Sequence, residues 1–174
     1  YLAVCLKSLA VHVACDERYH IIVMCDNVKN ITMIQLRNVI KDYENIDIEF
    51  VDIRKKMYEY SESFGQTVTD RQENRLYSGE FTLTIYFRLF IAELFPELNK
   101  AVYIDSDTVI NDDIAKLYSV DMGDAMFGAV RDTFAGKNTI LAHYIENVVG
   151  IERDEYVNSG VLLMNLDKIR QAHL

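Results

Sequence analysis

Proline occurs once in the 174 residues and glycine only seven times. So little of either leaves no room for a flexible linker or a low-complexity segment, and a single domain over 1–174 is expected. No apolar run approaches the roughly 18 residues of a membrane span. Tyr1-Leu2-Ala3-Val4-Cys5 offers neither the basic opening nor the cleavage site of a secretory leader. There is no initiating Met either, so the chain reads as a piece of something longer. Basic clusters are scarce: Arg54-Lys55-Lys56 is the longest, in a chain of net charge −9. Nucleic acid and anionic membrane surfaces both call for a basic patch, so neither is expected as a partner. Bound metal would offset part of the acidity. Cys5, Cys15 and Cys25 lack paired short spacings, which excludes a zinc site or a disulfide framework. They read as free, mostly buried thiols in a reducing compartment, and the expected location is cytoplasmic.

What is present is a regular alternation. Leu2, Cys5, Leu6, Leu9 and Val13 have helical spacing. The run His20-Ile21-Ile22-Val23-Met24-Cys25 is short, apolar and β-branched, the pattern of a buried parallel strand. Asn30 is placed to cap a second helix, and Ile46, Ile48 and Phe50 alternate as a second strand. Helix and strand in turn predict a βαβ sheet. Residues 54–75 break the rhythm; they are polar and aperiodic, and either a lid or a solvated surface excursion fits them. Residues 82–95 are then apolar nearly all round, which predicts a largely buried helix ending near Pro96. Asp112-Asp113 is expected to cap a short helix, and Asp167 the last one. Further strands are expected over 125–130 and from Asn158 to Leu166, with a helix or a loop with a helical turn over 137–149.

Two features carry chemistry. Ala101-Val102-Tyr103-Ile104 is a strand-forming run that delivers Asp105 and Asp107 one residue apart. In an extended chain residues i and i+2 share a face, which would aim both carboxylates the same way. Two such carboxylates repel unless a proton or cation lies between them, and a hard oxygen-seeking ion such as Mg²⁺ or Mn²⁺ suits the arrangement. For an isolated Asp-x-Asp, a strand-end turn is the better reading. The second feature is Arg88, in the middle of the apolar helix. A guanidinium there needs a carboxylate or phosphate partner, and an internal ion pair and a ligand contact weigh evenly.

Four segments in order resemble glycosyltransferase family 8, the group of glycogenin and the bacterial lipopolysaccharide glucosyl- and galactosyltransferases. They are Tyr86-Phe87-Arg88-Leu89, Lys100-Ala101-Val102-Tyr103-Ile104-Asp105-Ser106-Asp107, Gly128-Ala129-Val130-Arg131-Asp132, and Asn158-Ser159-Gly160-Val161-Leu162-Leu163-Met164-Asn165-Leu166. The resemblance implies an α/β fold of GT-A type, a mostly parallel Rossmann-like sheet flanked by helices that binds a nucleotide-diphospho-sugar at its strand ends. It implies that Asp105 and Asp107 hold Mn²⁺ or Mg²⁺ against the donor diphosphate, and that the Ser106 main chain passes the nucleoside. Asp132, Asn158 and Gly160 would line the donor site, with Arg88 near the sugar and the Asp pair; Asp132, Asn158 and Arg88 are the implied catalytic residues. The implied reaction moves glucose or galactose from its UDP-sugar to a saccharide or lipopolysaccharide-type acceptor, with retention. For the full-length protein, peripheral association with the inner membrane stays open. The family's first strand and its third metal ligand, a His, have no counterpart here: His12, His20, His143 and His173 all stand in other contexts.

A rival enzyme reading rests on Asp105-Ser106-Asp107-Thr108-Val109, which is similar to the opening motif of haloacid-dehalogenase-like Mg-dependent phosphohydrolases. About a hundred residues precede the motif here, and Asn158-Ser159-Gly160 has no role in that scheme. A non-catalytic nucleotide-sugar-binding domain is the third reading.

Overall fold

The computed structural model describes residues 1–56, 83–135 and 139–172, with the backbone alone for 83–86 and 139. Most of the polar 54–75 segment lies outside the described residues, and so does His173.

The first ladder is the expected βαβ unit. Strands β1 (Tyr19–Cys25) and β2 (Ile46–Asp52) pair in parallel from Tyr19↔Ile46 to Cys25↔Asp52. Helices α1 (Leu2–Ala10) and α2 (Asn30–Ile40) cover one face of this ladder. Leu6 and Ala10 of α1 meet Leu36 and Ile40 of α2, and Ile48 and Phe50 of β2 pack against them. The alternation of Ile46, Ile48 and Phe50 therefore sets which face of β2 is inward. Helix α2 starts one residue earlier than the cap expectation. Lys29 holds the N-cap position without a side-chain bond, and Asn30 is already helical.

The second ladder is antiparallel. Strand β5 (Val157–Asn165) lies between β3 (Lys100–Ile104) and β4 (Phe127–Arg131). The fold class stands as α/β with a mixed sheet flanked by helices, but among the described strands one pair is parallel and two are antiparallel. Continuous apolar runs such as Leu162-Leu163-Met164 are buried on both faces whichever way the neighbour runs, so periodicity does not report strand direction.

Of the helix expected over 82–95, the described residues divide in two: a 3₁₀ segment over Leu83–Phe90 and α3 (Ile91–Leu94), which stops before Pro96. Burial over 87–95 is one-sided, because Leu89 is 62% exposed while Phe87, Ile91, Ala92, Leu94 and Phe95 are buried. These buried residues form the main core with Leu162 and Met164 of β5, and with Leu166 and Ile169 of the last helix (Leu166–Ala172). Ile22 and Met24 of β1 and Val51 of β2 pack on the same cluster, so one apolar layer joins the two ladders. Each large side chain buried there contributes roughly 1.5–3 kcal/mol. On α1, Cys5 and Leu9 meet Ile110 in a cluster that also takes Ile21, Ile46 and Ile104, again from both ladders.

The helix ends follow local chemistry. Asp113 caps the short helix α4 (Ile114–Tyr118) by accepting the Ala115 N–H, as expected. Thr139–Tyr144 is α5 and continues as a π-helical turn, Ile145–Val149, which ends at Gly150 with φ +80°. The last helix, α6, is capped differently from expectation. Asn165 Oδ1 accepts the Lys168 N–H, while Asp167 lies inside the first turn and pairs with Arg170.

Among the thiols, Cys5 and Cys25 are buried, Cys15 is exposed, and all are free. Burial pushes the Cys5 thiol above its ordinary range, and the Asp107 charge adds to the effect.

Candidate active site

Strand β3 continues one residue past its last ladder pair, since the Asp105 N–H donates to the Gly160 carbonyl at 2.7 Å. The chain then turns, with the Thr108 N–H donating to the Asp105 carbonyl at 3.1 Å. Asp105 and Asp107 therefore do not lie on one extended strand, and the alternation argument for a shared face stops at Asp105. The residue that does share the Asp105 face by that rule is Tyr103. Its hydroxyl donates to Asp105 Oδ1 at 2.6 Å.

Arg88 supplies the counter-charge. Its side chain is only 13% exposed, and Nη2 donates to Asp105 Oδ1 at 3.1 Å. Nη1 reaches the Ser159 carbonyl at 2.5 Å and the Ser159 hydroxyl at 3.1 Å. The guanidinium also lies 4.7 Å from the centroid of the Tyr103 ring, a cation–π distance. Arg88 is thus an internal ion-pair partner of Asp105, the first of the two roles weighed for it from sequence. Burial, reinforced by the hydrogen bond to Asp105, pushes the Tyr103 phenol well above the ordinary range, with Arg88 partly opposing the shift. Tyr103 therefore remains an O–H donor at any pH the protein would meet.

Strand β5 brings the third component through an irregularity. Opposite β4 its register jumps from Ala129↔Leu162 to Val130↔Asn158, leaving 159–161 outside the β4 ladder. On its other side Val161 still pairs with Ile104. The bulged stretch bends toward β3, as extra residues in a ladder do. Asn158 Oδ1 accepts the Gly160 N–H at 2.8 Å. A Cβ at Gly160 would stand 2.9 Å from Asp105 Oδ2 and 3.0 Å from Asn158 Oδ1. Two side-chain oxygens thus border one small space that only glycine leaves open. Among the described residues no donor reaches Asp105 Oδ2.

The other candidates sit farther out. Asp107 is exposed, and its charge is felt at both the Tyr103 phenol and the Cys5 thiol. Ser106 is exposed at the tip of the turn. Asp132 is not joined to the Asp105 cluster by any hydrogen bond among the described residues. Its Oδ1 accepts the Phe134 and Ala135 N–H groups at 2.9 and 2.8 Å, the turn-forming use of an aspartate. It lines a shallow groove with Arg131, Thr133, Arg153 and Asp154. The structure therefore gathers Arg88, Asp105, Asn158 and Gly160, sets Ser106 and Asp107 in the turn that follows Asp105, and places Asp132 just past β4, where its N–H donates to the Tyr156 carbonyl at 2.8 Å. Sequence reasoning missed Tyr103 and Ser159. The i, i+2 spacing from Tyr103 to Asp105 was available as a signal; the carbonyl of Ser159 carried none.

The donors bordering the Gly160 space are all oxygens, which suits a hard divalent ion. Among the described residues no group of three or more His, Cys, Asp or Glu stands close enough to hold a metal alone. Asp105 and Asp107 would be this chain's share of such a site. Among the described residues, no helix is long and apolar enough to cross a membrane.

Comparison with known proteins identifies the family and the fold. The family model for Glycosyl transferase family 8 matches residues 1–174. A putative glycosyltransferase of Haemophilus influenzae is 26% identical over 174 residues, all of this chain and 47% of that protein. General stress protein A of Bacillus subtilis is 27% identical over 131 residues, covering 71% of this chain and 44% of its own length. The chain thus spans about half the length of these curated relatives. Among solved structures, the galactosyltransferase LgtC in complex with donor and acceptor sugar analogues superposes with a TM-score of 0.68 at 25% identity, covering 98% of this chain and 55% of that one. The bifunctional glycosyltransferase WbbM has the same fold, with a TM-score of 0.76 at 23% identity over 99% of this chain and 30% of that one.

Proposed function

The chain belongs to glycosyl transferase family 8, and from that membership we propose that it is the donor-binding part of a metal-dependent, retaining hexosyltransferase. The donor is UDP-glucose or UDP-galactose, and the acceptor is a saccharide, of lipopolysaccharide type in our reading. LgtC, crystallised with donor and acceptor sugar analogues, supports a sugar-transfer reading at this level of similarity. Membership displaces the phosphohydrolase reading of Asp105-Ser106-Asp107. We further take 1–174 as one domain and a cytoplasmic location as the working assumption.

The observation that carries the proposal is the half-used carboxylate of Asp105. Arg88 and Tyr103 both donate to Oδ1, and Oδ2 borders a space kept clear by Gly160. Asp105, through Oδ2, and Asp107, exposed in the turn that follows, would hold Mn²⁺ or Mg²⁺. When bound, the ion would act as a Lewis acid on the diphosphate as negative charge develops on the departing UDP. The protein's own part is positional. Arg88 balances the carboxylate charge and, through Ser159, ties the β5 bulge to β3. Asn158 holds its amide beside the same space through the Gly160 N–H, where it can orient a sugar hydroxyl. Ser106, at the exposed tip of the turn, would present main chain to the nucleoside. Asp132 would have to give up its turn bonds to Phe134 and Ala135, or use its second oxygen, to meet the sugar.

The test is calorimetry of UDP binding to the full-length protein with and without Mn²⁺, for wild type and Asp107→Asn. The expected result is a Mn²⁺-dependent affinity that falls at least about tenfold in the variant. Unchanged affinity would remove the metal bridge, and binding without turnover would favour the non-catalytic reading. With a UDP-hexose and Mn²⁺, the first-formed anomer seen by NMR should keep the donor configuration; an inverted product overturns the retaining assignment.

A further inference from the structure

The Asp105 side chain differs from other strand-end aspartates in what it leaves unused. Asp132 spends its carboxylate on its own turn, accepting the Phe134 and Ala135 N–H groups. At Asp105 the turn closes through the main-chain carbonyl instead, since Thr108 N–H donates to Asp105 O. The carboxylate is therefore free of local backbone bonds, and something else must fix its rotamer. A side chain with two freely turning torsions would be a poor half of any cation site, because ordering it on binding costs affinity.

We propose that Tyr103 is a positioning residue for Asp105: its hydroxyl, acting with Arg88, holds Oδ1 and thereby aims Oδ2 into the space beside Gly160. This inference rests on the metal-bridge reading given above. The geometry gives each end of the carboxylate a defined job. The Asp105 main chain is anchored by its N–H to Gly160 O at 2.7 Å. The far end is anchored by a 2.6 Å bond from Tyr103 and a 3.1 Å bond from Arg88, both to the same oxygen. With Cα and Oδ1 both fixed, the remaining oxygen has one place to go, and it is the oxygen a Gly160 Cβ would touch at 2.9 Å. A short bond from a neutral hydroxyl to a carboxylate belongs to the stronger class of hydrogen bonds.

Tyr103 is itself held on three sides. Its main chain pairs with Leu162 in the ladder, its ring packs on the core cluster of Phe87 and Leu162, and the Arg88 guanidinium lies over the ring face. Its hydroxyl position is thus set by the core, and the rotamer of Asp105 inherits that rigidity. Arg88 alone would not serve as well, because its fork is divided between Asp105 and Ser159. Partners behind a metal ligand commonly matter this way, and their removal costs metal affinity about 10–100-fold.

The test is Tyr103→Phe in the full-length protein, which removes one oxygen and keeps the ring under Arg88. Mn²⁺ affinity is read by electron paramagnetic resonance titration in the presence of UDP, and UDP affinity is read separately without metal. The expected result is a Mn²⁺ affinity about tenfold weaker, with metal-free UDP affinity and melting temperature close to wild type. Mn²⁺ affinity equal to wild type would overturn the inference. So would parallel losses of Mn²⁺ and metal-free UDP binding, or a failure to fold, since each would make the hydroxyl a general structural element. A wild type that shows no Mn²⁺ binding would overturn the metal bridge itself, and that failure is seen before any variant is made.

Discussion

Among the described residues, the Asp26–Arg54 and Asp105–Arg88 pairs both stand just past strand ends, and they are built in opposite ways. Past β1 and β2, Arg54 meets Asp26 as a closed fork: Nε donates to Oδ1 at 3.0 Å and Nη2 to Oδ2 at 2.7 Å. Past β3, Arg88 meets only one oxygen of Asp105, and Tyr103 takes the same oxygen. The first pair uses both carboxylate oxygens and joins β1 to β2, a structural use. The second leaves an oxygen without a donor among the described residues and adds a bulge in β5 that brings Asn158 and Gly160 alongside. An ion pair by itself therefore does not mark a site. What marks one is a charge that the protein has neutralised from one side only.

The sharpest way to break this comparison is to remove each arginine. Arg88→Met leaves the Asp105 charge with Tyr103 alone and frees the Ser159 carbonyl, in a place where the guanidinium was 13% exposed and the carboxylate 34%. Loss of one partner from a fully buried pair typically costs 3–5 kcal/mol, and the partial exposure of this pair puts the expected loss below that range, about 2 kcal/mol. Arg54→Met acts on a pair whose arginine is 39% and aspartate 20% exposed, and about 1 kcal/mol is expected. Chemical denaturation of both variants checks the ranking. Equal losses would mean that the Arg88 pair is no more deeply committed than the Arg54 pair.

How far the sequence disclosed this depends on the range of the forces involved. The edges of β1, β2 and β5 came within a residue or so, because β1 is an apolar run bounded by polar residues, β2 alternates, and β5 follows a polar start with an apolar run. The Asp113 cap was legible for the same local reason. The caps of α2 and α6 were not, since Asn30 and Asp167 have the right chemistry and stand one or two residues inside the helix. At the site, residue types were legible and geometry was not. Reading Asp105 and Asp107 as one extended face failed because the chain turns directly after β3, a turn closed by Thr108. The β5 bulge is a compromise between two neighbours, β3 and β4, that lie far away in sequence, and no local pattern reports it. Tyr103 looked like an ordinary strand aromatic because its apolar ring and polar tip serve different masters.

The finer test of the half-open pair is to fill its empty side. Gly160→Ala puts a methyl group 2.9 Å from Asp105 Oδ2 and 3.0 Å from Asn158 Oδ1, closer than real contacts allow. One of the two side chains must move. Asn158 can swing only by releasing the Gly160 N–H, and Asp105 only by leaving Arg88 or Tyr103. Either shift disturbs the oxygens that would meet the cation, so metal-dependent UDP affinity should fall about tenfold. Gly150→Ala is the control. Its φ of +80° makes any side chain strained, yet nothing lies within 4 Å of the added Cβ. It should cost stability, about 1–2 kcal/mol, and leave UDP binding alone. The two substitutions thus separate a glycine needed for its backbone from one needed for the room beside it. If Gly160→Ala were to lower stability and spare metal-dependent binding, the space beside Asp105 Oδ2 would be a packing detail, and the contrast between the two aspartate–arginine pairs would lose its functional meaning.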